Sequence, residues 1–242
     1  MEAPFSTDGF LEVDRCEPVS VEQMRMIEDA AANTGISRML MMENAGSSIA
    51  RFIFQNSNHL QDRAHSGKIH VLFVAGIGNN GGDVFVAARH LAYWSDSFEI
   101  TVLILGKTQE IRAEEARTNY EILNKITSLK TIAIQSDLEV DSVSTLFCKA
   151  RVIVCGLFGT GFKGEPRPMQ KRVMQMINQS EGAMNISVDV PSGLEADSGK
   201  FSIAVRSDYT ITMHAPKIGM VKSSEAKSIC GRILIANIGV SS

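Results

Sequence analysis

The sequence predicts an α/β fold built on a doubly wound parallel sheet, and three observations predict it. Seven short apolar runs rich in β-branched residues recur between positions 68 and 238. Stretches with helical periodicity separate the earlier runs, which implies strand–helix–strand units with right-handed crossovers. The runs are continuously apolar instead of alternating, as strands covered on both faces must be.

Two helices open the chain. Ser20 and Gln23 have the spacing of a capping box, and Met24, Ile27, Ala31 and Ala32 then recur at helical spacing until Gly35. A second helix over roughly 37–54 carries Leu40, Met41, Ala45, Ile49 and Phe52 on one side, with a polar Glu43-Asn44 pair. The polar stretch 55–67 reads as a loop. Strands are expected at 68–75, 98–105, 131–134, 151–155, 185–190, 209–213 and 232–238. Helices are expected at 83–93, 113–125, 143–149 and 169–178, with none between the last two strands, which would close an edge of the sheet. No repeat, low-complexity tract or linker interrupts the 242 residues, so a single domain is expected.

Composition excludes several classes. The 24 Lys+Arg against 27 Asp+Glu give a net charge of −3, which leaves no broad basic surface for nucleic acid. The most apolar runs, near 71–75 and 101–105, fall far short of the roughly 20 residues of a membrane span. Residues 1–15 carry Glu2, Asp8, Glu12 and Asp14 and do not form a secretory signal. Cys16, Cys148, Cys155 and Cys230 have no C-x-x-C spacing and fit reduced thiols of a cytoplasmic protein.

In a doubly wound sheet, ligands meet the carboxyl ends of the strands, so the loops there carry the chemistry. The first runs Gly76-Ile77-Gly78-Asn79-Asn80-Gly81-Gly82-Asp83, between a strand and a helix. Its four glycines permit tight turns, and the helix start offers free amides and a positive dipole end to a phosphate. The same glycines satisfy the G-x-G-x-x-G of dinucleotide-dependent dehydrogenases, which also need an acid at the end of the next strand. That strand ends Leu105-Gly106-Lys107, with Asp96 and Glu99 at its other end, so an oxidoreductase is disfavoured.

A second glycine-rich loop, Gly156 to Gly164, contains Thr160 for hydrogen bonding, and Lys163 or the nearby Arg167 suits phosphate charge. Asp189, in Asp189-Val190-Pro191-Ser192-Gly193, is placed for general acid/base work or for ordering its own turn. Lys217 lies beyond another strand end, either as a phosphate contact or as a solvated lysine. His59 and His65 fall in the polar stretch, His70 and His90 are packed or surface groups, and His214 is structural.

Together these residues carry a resemblance to the YjeF N-terminal family, the NAD(P)H-hydrate epimerases. Its early L-M-E-N-A-G helix is matched by Met41-Met42-Glu43-Asn44-Ala45-Gly46, and its G-x-G-N-N-G-G-D loop by Gly76 to Asp83. The A-A-R-H-L helix matches Ala87 to Leu91, L-F-G-T-G matches Leu157 to Gly161, and D-x-P-S-G matches Asp189 to Gly193. A-P-K appears at Ala215 to Lys217 and the I-G ending at Ile238-Gly239, so the match runs from about residue 20 to 242.

The resemblance implies a Rossmann-like three-layer α/β/α sandwich, homodimeric and cytoplasmic, with the whole chain as one domain of this family. It implies an epimerase that interconverts the R and S forms of hydrated NADH and NADPH, in functional partnership with a dehydratase. A non-catalytic nucleotide-binding or scaffold module of the same fold is the alternative. By the same analogy Asp189 is catalytic, and the substrate meets Asn79, Asn80, Gly81, Gly82, Asp83, Gly159, Thr160, Gly161, Phe162, Lys163, Gly164, Glu165 and Asp189. A potassium ion (K+) would be held by Asn80, Ser192 and an acid whose place is taken here by Cys155. A neutral thiol is a poor ligand for a hard alkali cation. Val84 also replaces a glycine common after N-N-G-G-D, and is expected to narrow the approach.

Overall fold

The computed structural model describes residues 5–62 and 67–240. Residues 1–4, 63–66 and 241–242, and with them His65, lie outside the described residues. The strands are β1 (Leu11–Glu12), β2 (Ile69–Ala75), β3 (Phe98–Leu105), β4 (Lys130–Ile134), β5 (Val152–Gly156), β6 (Met184–Val188), β7 (Tyr209–Met213) and β8 (Arg232–Ala236). The helices are α1 (Val21–Asn33), α2 (Arg38–Gln55), α3 (Ser57–Asp62), α4 (Asn79–Trp94), α5 (Glu114–Leu123), α6 (Ser144–Lys149), α7 (Pro168–Asn178), α8 (Ile218–Val221) and α9 (Ser224–Cys230).

Local chemistry starts the first helices as expected. Gln23 N donates to Ser20 Oγ at 3.1 Å and Ser20 N to Gln23 Oε1 at 2.8 Å, which closes the capping box of α1. Ser37 caps α2 by accepting from Leu40 N at 3.3 Å.

The strands form one eight-stranded sheet in the order β1-β8-β7-β6-β5-β2-β3-β4. Only the β1–β8 pair is antiparallel among these neighbours. The architecture is a three-layer α/β/α sandwich, and β2 shows why its strands are apolar throughout. Ile69, Val71, Phe73 and Ala75 pack into a cluster with α1, α2 and α4 on one face. Leu72 and Val74 point the other way, into a cluster with Phe147 of α6 and Val173, Met174 and Ile177 of α7. Each apolar residue of β2 is therefore buried whichever face it takes.

Two expectations need correction. The 55–67 stretch is not wholly loop, because α3 occupies Ser57–Asp62 and buries Leu60; His59 of that helix lies 5.5 Å from the Phe5 ring. The last two strands are parallel, with α8 and α9 between them, and β1 closes that edge. Helices of four and seven residues carry almost no periodicity; Met220, Ala226, Ile229 and Cys230 hold them by packing on Val190 and Ile233.

The topology also places a crevice. From β2 the chain winds to β3 and β4 on one side, then returns to β5 and winds outward on the other. Crossovers diverge between β2 and β5, and the glycine-rich loops follow those two strands.

Candidate active site

The early Met41 to Gly46 motif builds the wall behind the crevice. Glu43 is ion-paired with Arg89 and lies 2.7 Å from His90 Nε2, which ties α2 to α4. Asn44 Nδ2 donates to Ile238 O at 3.0 Å. A Cβ on Gly46 would stand 2.4 Å from Val86 Cβ and 2.7 Å from Asp83 O, so only glycine lets the two helices come this close. This contact fixes where α4 begins.

The first turn of α4 has no side-chain cap; Gly78 is its N-cap residue. Its leading amides remain for a ligand, as a phosphate requires. The glycines of this loop serve packing as well. A Cβ on Gly81 would meet Gly76 O at 2.0 Å, and one on Gly82 would meet Met42 Sδ at 2.6 Å. The expectation that a side chain at Gly81 or Gly82 would fill phosphate space in an intact fold is therefore replaced by one of internal collision. Gly81→Ala is expected to lower stability by about 1–3 kcal/mol or more, because backbone must move. Gly78→Ala, whose Cβ meets nothing within 4 Å, is expected to melt with the parent. Parallel thermal melts check both.

A cleft of about 1170 Å³ opens at this sheet end. Asn79, Asn80, Asp83, Gly159, Thr160, Gly161, Phe162, Lys163, Glu165 and Asp189 line it. Gly81, Gly82 and Gly164 do not; Gly164 N donates to Glu195 Oε1 at 3.1 Å. The cleft runs on past Gly106 and Lys107 at the end of β3 and Ser136 and Asp137 beyond β4. No acid stands at the end of β3; Lys107 is there, 4.0 Å from Glu110. Phe158 and Phe162 stack at 4.5 Å beside the second loop. Val84 is fully buried and does not narrow the approach: it packs where a Cβ on Gly156 would stand, 2.4 Å from Val84 Cγ2.

Asp189 sits at the end of β6 with φ +63°, and His214 at the end of β7 with the same value. Val190 N donates to Val188 O at 2.8 Å, and Ala215 N to Met213 O at 2.7 Å. Each polar residue is thus the middle of a three-residue γ-turn in its strained, positive-φ form. Two adjacent strands end in the same turn, which directs Asp189 out of the sheet plane.

Lys217 holds that carboxylate in place. Its side chain is 1% exposed, and Nζ donates to Asp189 Oδ1 at 2.5 Å, Thr212 Oγ1 at 3.0 Å, Met213 O at 3.1 Å and Ala215 O at 3.2 Å. Neither expectation for this residue holds: it is neither solvated nor open to a phosphate, because the ammonium is buried and its protons are engaged. Thr212 Oγ1 and Met213 N also approach Oδ1, at 3.2 and 3.4 Å. Among the described residues every hydrogen bond to Asp189 ends on Oδ1, which leaves Oδ2 for a ligand.

Two of the cleft's other carboxyls, those of Asp83 and Glu28, feel the charge of Asp189. Burial, then the charges of Asp189 and Glu28, push the Asp83 carboxyl well above the usual range, with Lys217 pulling the other way. Burial, then Asp189, also raises Glu28 of α1. Sequence reasoning missed Glu28. Its signal was present, since it lies four residues after Met24 and three before Ala31, both buried, on the core-facing stripe of α1. His214, by contrast, is pushed down by burial and by Lys217.

The potassium residues come together behind the cleft. Cys155 Sγ lies 3.5 Å from Ser192 Oγ, which accepts from Phe158 N at 3.0 Å and donates to Phe158 O at 3.2 Å. Asn80 Nδ2 donates to Phe158 O at 2.7 Å and Val188 O at 3.0 Å. Burial pushes the Cys155 thiol up and keeps it neutral. A hard cation needs oxygen donors facing it. Here Ser192 Oγ and the carbonyls of Phe158 and Val188 already accept hydrogen bonds, Asn80 turns its amide nitrogen to those carbonyls and the third group is a thiol, so the donor set does not fit potassium. No group of three or more His, Cys, Asp or Glu suited to a metal occurs among the described residues.

A doubly wound sheet with paired glycine loops at its switch point, an uncapped helix start and an anchored carboxylate is the layout on which α/β proteins of this class build ligand sites. The chain belongs to the YjeF-related protein N-terminus family, whose model matches residues 38–219. A bifunctional NAD(P)H-hydrate repair enzyme of Archaeoglobus fulgidus is 34% identical over 93% of this chain and 42% of its own length. The chain thus spans less than half of that relative. NAD(P)H-hydrate epimerases of Cenarchaeum symbiosum and Nitrosopumilus maritimus are 36% and 33% identical, each over 92% of this chain and 95% of the relative. The crystal structure of yeast ynu0 matches with a TM-score of 0.66 at 24% identity, over 86% of this chain and 85% of that one, a likeness of fold.

Proposed function

We propose that this chain epimerises hydrated NADH and NADPH, interconverting the R and S forms at the hydrated carbon of the nicotinamide ring. The observation that carries this reading is Asp189, fixed through Oδ1 by a buried lysine, with Oδ2 left for a ligand in the cleft. The names of the full-length relatives support it.

The cleft has the layout a dinucleotide needs. The uncapped start of α4 receives the pyrophosphate, and Thr160 and Lys163 close on it from the second loop. Strands stand roughly 4.8 Å apart, so the path from Asp189 on β6 past β5 and β2 to β3 measures about 14 Å, the reach of half a dinucleotide. The nicotinamide end then lies over β6 and the adenosine end toward Lys107.

Epimerisation breaks the bond between the ring carbon and its hydroxyl, passes through a cationic ring, and remakes the bond from the other face. Asp189 supplies the countercharge for that cation and handles a proton of the exchanged water. The test is equilibration of separated R and S hydrated NADH, corrected for spontaneous exchange. A rate at background would discard the reading and favour a binding module.

No step passes through a metal. Cys155→Asp would replace the thiol by an oxygen donor beside Ser192, and is expected to make activity respond to potassium where the parent does not. Rates with potassium exchanged for a bulky organic cation check this; a parent already dependent on potassium would remove the idea. Family resemblance further supports one catalytic domain over 1–242, a homodimer, a cytoplasmic setting and a dehydratase that consumes the S form. No described helix is long and apolar enough to cross a membrane.

A further inference from the structure

Epimerisation at one ring carbon poses a problem that a single carboxylate does not solve. The hydroxyl leaves one face and water adds to the other. Departure needs a proton donor on the first face, and addition needs a proton acceptor on the second.

Of the carboxyls that line the cleft, three act on one another: Glu28, Asp83 and Asp189. They do not have equal partners. Lys217 lies against Asp189 and shares its other two protons among Thr212 Oγ1, Met213 O and Ala215 O. A buried ammonium demands an anionic partner, so Asp189 is the carboxylate of the three. Among the described residues no hydrogen bond reaches the carboxyl of Glu28 or of Asp83. The charges acting on Glu28 are those of Asp189, Lys217, Arg38 and Asp29. Arg38 is ion-paired with Asp29 and does not serve Glu28 alone. Asp83 faces Asp189, Glu28 and Lys217. One ammonium, already paired with Asp189, among three neighbouring carboxyls leaves a proton in the group, because like charges this close do not all ionise. Glu28 belongs to α1 in the helical layer, whereas Asp189 rises from the end of a strand. The two reach the cleft from different elements.

We propose, on the epimerase reading above, that Glu28 is the proton donor to the departing ring hydroxyl, opposite Asp189 as acceptor for the returning water. In one direction Glu28 gives its proton to the hydroxyl oxygen. The carbon–oxygen bond breaks with its electron pair on oxygen, and water leaves. Water then adds to the cationic ring from the other face, and Asp189 takes the proton it releases. In the other direction Asp189 is donor and Glu28 acceptor. Exchange with solvent resets the pair, and nothing is oxidised or reduced.

The experiment compares the parent with Glu28→Gln and Glu28→Asp, using separated R and S hydrated NADH in heavy-oxygen water. The parent is expected to take up one heavy oxygen for each epimerisation. Glu28→Gln is expected to lose about a hundredfold or more in kcat with KM little changed. Because burial and Asp189 raise the Glu28 carboxyl, the parent rate should fall as pH rises through that group. Glu28→Asp should regain part of the rate with this alkaline limb displaced, which a merely structural role would not produce. A Gln variant as fast as an active parent, or epimerisation without heavy oxygen, would overturn the proposal and leave the epimerase intact. A parent with no activity would overturn both. Should the Gln variant not fold, infrared spectroscopy of the parent and of Glu28→Asp decides: a protonated-carboxyl band that shifts between them supports the assignment, and an unchanged band ends it.

Discussion

Asp189→Asn is expected to slow equilibration of R and S hydrated NADH by about two to four powers of ten through loss of proton transfer alone. Loss of the countercharge to the cationic ring adds to this. The substitution keeps size and shape, and it keeps an acceptor for Lys217, so dinucleotide affinity should stay near that of the parent. Separate measurements of kcat and of dinucleotide Kd check the two halves. An Asn variant as fast as the parent would mean that Asp189 merely orders its γ-turn.

The second large effect belongs to Lys217. Lys217→Met leaves the Asp189 carboxylate without its cation and strands Met213 O, Ala215 O and Thr212 Oγ1 without their shared donor. Removing one partner of a buried pair costs about 3–5 kcal/mol. At this chain length that corresponds to a fall in Tm of about 10 °C. Adding Asp189→Asn to Lys217→Met should recover part of the loss, since the two residues act as a unit. It should recover no activity. Calorimetry on the single and double variants gives the coupling, and a Lys217→Met protein that melts with the parent would remove the ion pair from the account.

These variants separate two uses of one geometry. Asp189 and His214 both sit in strained γ-turns on neighbouring strands. The ion pair bridges from Asp189 to the segment after His214. Lys217 therefore tethers two strand ends as well as a charge, which predicts loss of stability and activity together. Asp189→Asn keeps an acceptor for Lys217 but leaves the buried ammonium without its anion, so it predicts loss of activity with a smaller loss of stability.

Local periodicity and composition encode the strands, the loops and the first helices. The β2 and β5 strands read as apolar runs because their apolar residues are buried on one face or the other. The glycine loops were visible because four glycines in seven positions have few other uses. The capping box at Ser20 and Gln23 spans only three residues, and the Asp189 turn is a local string. Tertiary structure decided everything that joins distant positions. Lys217 is indistinguishable from a surface lysine until β6 and β7 pair and bring Asp189, 28 residues away, against its Nζ. Gly81 and Gly82 announced themselves as glycines, yet the atoms that require them, Gly76 O and Met42 Sδ, are placed by the fold. The α8 and α9 helices are too short to show a period and exist because a third apolar cluster holds them. Glu28 was on the page as a polar residue in an apolar stripe, but its meaning rests on Asp83 and Asp189, which arrive from α4 and β6. Charge interactions act through space, and spacing along the chain does not encode them.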